Sequence, residues 1–273
     1  MRKRNALITY RVIVLVLALA VAFMPTSSLA KKKNTTWRGL YKGLEKHQKV
    51  IETTSDELIF GTYSLQQEAI DDNGGKRLGD FMFYENLKKI KWKSKWETDG
   101  TIEYRFVVKY KYDLNTMKRF NRELKGVVRS LGLSKKDGIT KVVTIHDYIV
   151  NNVKYEDSGD PMDYSAAGAL LNKKAVCEGF ALLFYRMCKE SGVPVRFITG
   201  YGVHYGGIGA HAWNIVKLGD KWYNIDTTWD TVSKNEFFLR SDGDFYGHVR
   251  DHAYSTEDFY SKYPMSDVSI NHP

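Results

Sequence analysis

The segment from Ala175 to Asp230 restricts the fold of this chain more than any other. It begins with an apolar helical stretch that runs from Cys177 through Leu183, Phe184 and Met187. The stretch stops at Ser191-Gly192-Val193-Pro194, where glycine and proline end a helix. Two strand-like segments follow, 209–216 and 221–230, joined at Leu218-Gly219-Asp220-Lys221, a tight-turn sequence that predicts a hairpin. A buried helix followed by an antiparallel pair sets the class as α+β. Cys177 falls in the first turn of the helix, where unpaired N–H groups and the positive dipole end favour a thiolate and offer donors to an oxyanion. Gly179, costly within a helix, predicts close approach of a backbone or a substrate. Across the hairpin, a two-residue Gly219-Asp220 loop makes His211 and Asp226 diagonal neighbours on one face, within reach of a carboxylate–imidazole hydrogen bond. Asp226 can then fix the tautomer of His211, leaving the other nitrogen to take the proton of Cys177.

Alternative readings of these residues are structural. A cysteine can be a buried thiol, and that suits Cys188 better than Cys177. The two lie eleven residues apart, roughly 16 Å along a helix, so they cannot bridge within it. Trp213, Trp222 and Trp229 either wall a water-excluding channel or fill the core. His146 sits on an apolar helical stripe and reads as a packed core residue. His204, His248 and His252 show no convincing ligand spacing, so no metal and no cofactor is expected, with His248 placed near the cleft rim.

Taken together, Cys177-Glu178-Gly179, His211-Ala212-Trp213-Asn214 and Trp222-Tyr223-Asn224-Ile225-Asp226 resemble the core of the transglutaminase-like superfamily, with Ile145-His146-Asp147-Tyr148 as a further matching helix. The resemblance covers roughly residues 139–230. It implies a papain-like core in which a nucleophile-bearing helix packs on an antiparallel sheet. It further implies Cys177 as nucleophile, His211 as general base and acid, and Asp226 as orienter. Such a thiol attacks an acyl carbon and leaves a thioester, which water hydrolyses or an amine intercepts. The alternative is an idle, envelope-binding module with the same fold. The calcium-loop spacing is absent, so the calcium dependence and glutamine specificity of animal tissue transglutaminases are not carried over.

Residues 1–30 read as an address. Arg2-Lys3-Arg4 precede an apolar run from Val12 to Met24, and Pro25 to Ala30 supplies a breaker and small residues before a cut after Ala30. An uncleaved anchor is the competing reading, disfavoured because the uncharged run is shorter than the ~20 residues of a spanning helix. The expected protein is therefore exported and associated with the cell envelope, taking protein or wall-peptide substrates. The formal charge of +9 falls to +5 once the four basic residues of this segment are removed, which gives no argument for nucleic acid.

Residues 31–133 read as an N-terminal helical and hairpin extension, 134–252 as the catalytic core and 253–273 as a tail. In the extension, the spacing of Trp37, Leu40, Tyr41, Leu44 and Ile51 predicts a helix over 37–51. A second helix is expected from after Ser55 to about Asp71, then a turn at Asp72-Asn73-Gly74-Gly75. The hairpin formed by Ile90, Trp92 and Trp96 with Ile102, Tyr104, Phe106, Val108 and Tyr110 needs an even pairing sum to share a face. A two-residue Asp99-Gly100 loop gives an odd sum, whereas Thr98-Asp99-Gly100 with Gly100 left-handed restores parity. One stripe of Met117, Phe120, Leu124, Val127 and Leu131 predicts the next helix. A stripe of Ile139, Val142, Val143, Ile149, Val150 and Val153, opened by Ser134 with Asp137, predicts another.

Overall fold

The computed structural model describes residues 35–55, 84–204 and 206–273. The expected signal segment, the helix after Ser55 and the 72–75 turn lie outside the described residues.

In the N-terminal part, helix α1 (Thr35–Glu45) packs on a three-stranded antiparallel sheet of β1 (Val50–Ser55), β2 (Leu87–Trp96) and β3 (Ile102–Tyr110), in the order β1-β3-β2. The helix expected over 37–51 is corrected here. It ends at Glu45, His47 takes a left-handed φ of 56°, and the chain folds back so that Ile51 enters β1 and packs beside Leu40 and Leu44. Ile51 fits the helical spacing and also the return strand, so spacing alone could not separate them. The β2–β3 register pairs Trp96 with Ile102 and Trp92 with Phe106, and the Glu97 N–H donates to the Thr101 carbonyl, leaving a three-residue loop, 98–100, in which Gly100 is left-handed at φ 83°. Parity put the alternating residues of β3 on one face, and Ile102, Tyr104, Phe106 and Val108 are all buried. Trp96, at the end of its strand, is instead 64% exposed.

Helix α2 (Leu114–Ser130) is capped by Asp113, which accepts from the Thr116 N–H, and it buries Phe120 and Leu124. Helix α3 (Gly138–Asn152) is opened by Asp137, whose carboxylate accepts from Thr140. The expected Ser134 cap is displaced into a 3-10 turn at Leu133–Lys135, and Ile139 faces outward. A single aspartate satisfies an open N–H there, as N-caps do. A two-residue parallel pair, β4 (Lys154–Tyr155) with β5 (Lys174–Ala175), brackets the short helix α4 (Ala166–Leu171).

Helix α5 (Cys177–Ser191) is the centre of the molecule, with ten consecutive residues from Gly179 to Cys188 buried. Gly192 ends it at φ 76°, and its N–H returns to the last turn, as a left-handed C-terminal glycine does. The helix packs with α2, α3 and α4 in one apolar cluster that also takes up Val195, Phe197, Ala212, Val216 and Ile225 of the sheet. That sheet is antiparallel, of β6 (Val195–His204), β7 (Gly207–Leu218), β8 (Lys221–Ile225) and β9 (His248–Arg250), in the order β8-β7-β6-β9. Two short helices complete the fold, α6 (Asp230–Ser233) and α7 (Glu257–Lys262). The architecture is α+β, with α5, which begins at Cys177, packed against an antiparallel sheet. Among the described residues, no helix is long and apolar enough to cross a membrane.

Candidate active site

Three elements meet at one crevice. Cys177 begins α5, His211 lies on β7, and Asp226 follows the last residue of β8. The β7–β8 hairpin pairs Leu218 with Lys221 across a two-residue turn at Gly219, φ 59°, so His211 and Asp226 are the diagonal neighbours that the loop length requires. His211 donates from Nε2 to Asp226 Oδ2 over 2.7 Å. That leaves Nδ1 for the thiol, and Cys177 lines the same crevice as this ring and acts on its charge. The crevice has a volume of about 510 Å³ and is lined by Cys177, His211, Tyr155, Trp229 and Thr231 among others. Trp229 thus forms a wall, whereas Trp213 and Trp222 are core residues.

Backbone geometry explains why Cys177 stands free. Val176 is the N-cap and supplies no side-chain acceptor, so the first N–H groups of α5 have neither a capping side chain nor an intrahelical carbonyl. Gly179 lets the turn come close to its neighbours. A Cβ there would stand 2.7 Å from Ala175 Cβ and 2.8 Å from the Asp163 carbonyl oxygen. The close approach expected of this glycine is therefore to backbone. Beside the cysteine, Glu178 is held by Lys111 at 2.8 Å. Cys188 is fully buried in the same helix, where burial pushes its thiol well above the ordinary range. Both cysteines are free.

The electrostatics of His211 follow from opposed effects. Burial disfavours the imidazolium, but the charge of Asp226, its hydrogen bond and the neighbouring Cys177 side chain together raise His211 from 6.5 to about 10. For Asp226 burial works upward, and the two histidines more than offset it, holding its carboxyl well below the usual carboxylate range. All the acceptor positions of that carboxylate are used. Oδ1 accepts from the Thr228 and Trp229 N–H groups at 2.8 and 3.2 Å, while Oδ2 accepts from His211 and from His248 Nε2 at 3.0 Å.

The sequence places His248 only near the cleft rim and carries no signal of its contact with Asp226. It sits on β9, which Gly200 and Gly202 of β6 bring close. A Cβ on Gly200 would fall 2.0 Å from the Val249 carbonyl oxygen. Phe245 stacks on the His248 ring at 3.8 Å and Trp229 lies 4.2 Å away. His248 Nδ1 also faces the Tyr246 carbonyl at 3.0 Å. Both of its nitrogens therefore meet acceptors, and both contacts are hydrogen bonds together only in the protonated ring. His146 has the structural role expected of it. It is wholly buried, and its Nε2 meets Asp230 Oδ2 at 3.0 Å. Asp230 in turn accepts from the Phe237 N–H and the Ser233 hydroxyl, which fixes the turn after Asp226.

Residues 125–227 match the family model of the transglutaminase-like superfamily. This part of the chain is similar to transglutaminase-like domains. A curated relative, human kyphoscoliosis peptidase, is 29% identical over 135 residues, covering 42% of this chain and 20% of that protein, and the mouse protein matches equally. The match spans about a fifth of the length of these curated relatives. Among solved structures, Legionella pneumophila LapG overlays at a TM-score of 0.36 and 19% identity, covering 51% of this chain and 75% of LapG. The periplasmic domain of TgpA from Pseudomonas aeruginosa overlays at 0.34 and 13% identity, covering 56% and 68%.

Proposed function

We propose that the protein is a thiol enzyme of amide bonds, with Cys177 as nucleophile, His211 as general base and acid, and Asp226 as orienter. One observation carries this reading. Asp226 holds Nε2 of an imidazole that lines the same open crevice as Cys177, through a buried carboxylate whose other acceptor positions are already filled. A structural histidine needs neither a thiol partner nor an open crevice. In the reaction, the Cys177 thiolate adds to an acyl carbon and the proton held by His211 passes to the departing amine. A thioester then remains on sulfur. The open N–H groups at the start of α5 stand where the oxyanion forms. Water taking up the acyl group gives hydrolysis; a primary amine gives transfer.

The substrate class we infer is protein or wall peptide, outside the cytoplasm. The basic and apolar character of residues 2–24 supports export, and the named activity of the kyphoscoliosis peptidase supports peptide substrates. The experiment offers peptide, protein and wall-fragment substrates to the protein and to Cys177→Ala, with and without a labelled primary amine. Mass spectrometry separates cleavage from amine incorporation. A product that depends on Cys177 supports the reading. Product formed equally by Cys177→Ala, or no product from any substrate, favours the idle binding module.

A further inference from the structure

A second constellation of histidine and carboxylate lies away from the crevice. His146 and Asp147 are neighbours on α3, and His272 reaches them from 125 residues further along the chain. His146 Nδ1 is 3.0 Å from Asp147 Oδ1, and His272 Nε2 is 2.7 Å from the same oxygen. The other nitrogen of each ring also faces an acceptor: His146 Nε2 faces Asp230 Oδ2 at 3.0 Å, and His272 Nδ1 the Pro273 carbonyl at 3.1 Å. Four ring nitrogens thus point at acceptors, which two neutral rings cannot satisfy, since each carries one N–H.

We infer that His146 Nδ1, Asp147 Oδ1 and His272 Nε2 form a site for a divalent transition cation of the zinc type. A cation between these three atoms resolves the proton count. Both rings become neutral ligands, and each remaining N–H donates to the acceptor already in place, Asp230 for His146 and the Pro273 carbonyl for His272. A carboxylate behind a metal-binding histidine is the usual arrangement that fixes tautomer and ring orientation. Charge also balances, because two carboxylates meet one divalent ion. The three donor atoms lie within 4.8 Å of one another. Tetrahedral zinc with bonds of about 2.0–2.2 Å needs ligands about 3.3 Å apart, so small side-chain movements suffice. Phe238 packs its face or edge against both rings, which shields the inner side. Asp147 is 42% exposed on the outer side, leaving room for a water as fourth ligand. The ion would tie the segment around His272 to α3 and, through Asp230, to the turn that follows Asp226. Sequence spacing gave no hint of this site, because its third ligand is so distant in the chain.

The His211, Asp226 and His248 donors are equally close together, so the test must separate the two groups. Zinc chloride is titrated by calorimetry into metal-stripped full-length Cys177→Ala protein, and into the same protein carrying His272→Ala, Asp147→Asn or His248→Ala. The expected result is one equivalent bound with a rise in Tm. Loss of the second-layer carboxylate alone typically costs 10–100-fold in affinity, so His272→Ala and Asp147→Asn should each lose at least about 100-fold, with far-ultraviolet circular dichroism unchanged. His248→Ala should bind as its parent does. Absence of saturable binding overturns the proposal, as does binding that survives both ligand variants or is lost in His248→Ala.

Discussion

Asp226→Asn tests the charge arrangement around His211 most closely. The backbone N–H groups of Thr228 and Trp229 hold Oδ1, so the asparagine oxygen stays there and its amide nitrogen turns toward His211 and His248. The charge that offsets burial of the imidazolium is then gone. His211 stands at about 10 against an ordinary 6.5. At pH 7 the ring is almost wholly charged in the parent, whereas a ring returned to 6.5 is only about one quarter charged. Burial then acts with less opposition and lowers it further. The predicted fall in the rate of Cys177 alkylation by iodoacetamide at pH 7 is therefore about four- to tenfold. Peptide mapping locates the label, and circular dichroism confirms that the variant is folded. A folded variant that reacts within about threefold of the parent would refute the assignment of Asp226 as the charge that holds His211 protonated.

Three further outcomes follow from the same structure. The chain has two cysteines, and native protein should give one rapidly titrating thiol, Cys177, with Cys188 reacting only in denaturant because it is buried and its thiol is shifted upward. His211 is raised on folding, so its contribution to stability is complete below about pH 6.5 and is lost as pH rises toward 10. Asp226 is lowered, so its contribution is present above the ordinary carboxylate range and is lost in acid. The difference in urea stability between the protein and Asp226→Asn should accordingly peak between about pH 4 and 6.5 and shrink through pH 10. Gly200→Ala forces a methyl group against the Val249 carbonyl, where β9 pairs with β6, and should cost about 3 kcal/mol by urea melt.

Legibility tracked the distance over which residues act on one another. The β2–β3 register was fixed by counting loop residues, because the strand period is two and only one loop length puts both apolar sets on one face. The pairing of His211 with Asp226 came from the same count across Gly219. Ile51 obeys helical spacing while belonging to the next strand, so spacing alone carries α1 past its end at Glu45. The contacts of His248 with Asp226 and of His272 with Asp147 lay beyond reach, since each depends on how a distant segment returns to the core. The histidine on α3 could be assigned to the interior from its stripe, but its partner Asp230 could not, for the same reason.

The central claim is that sulfur at position 177 takes up an acyl group. Intact-mass spectrometry of the protein mixed with a p-nitrophenyl ester of a short peptide, quenched in acid, tests it directly. A mass gain of one acyl group should appear on the Cys177 peptide, disappear on adding a primary amine, and be absent from Cys177→Ala. An adduct of equal amount in Cys177→Ala, or none in a protein whose Cys177 alkylates rapidly, would contradict it.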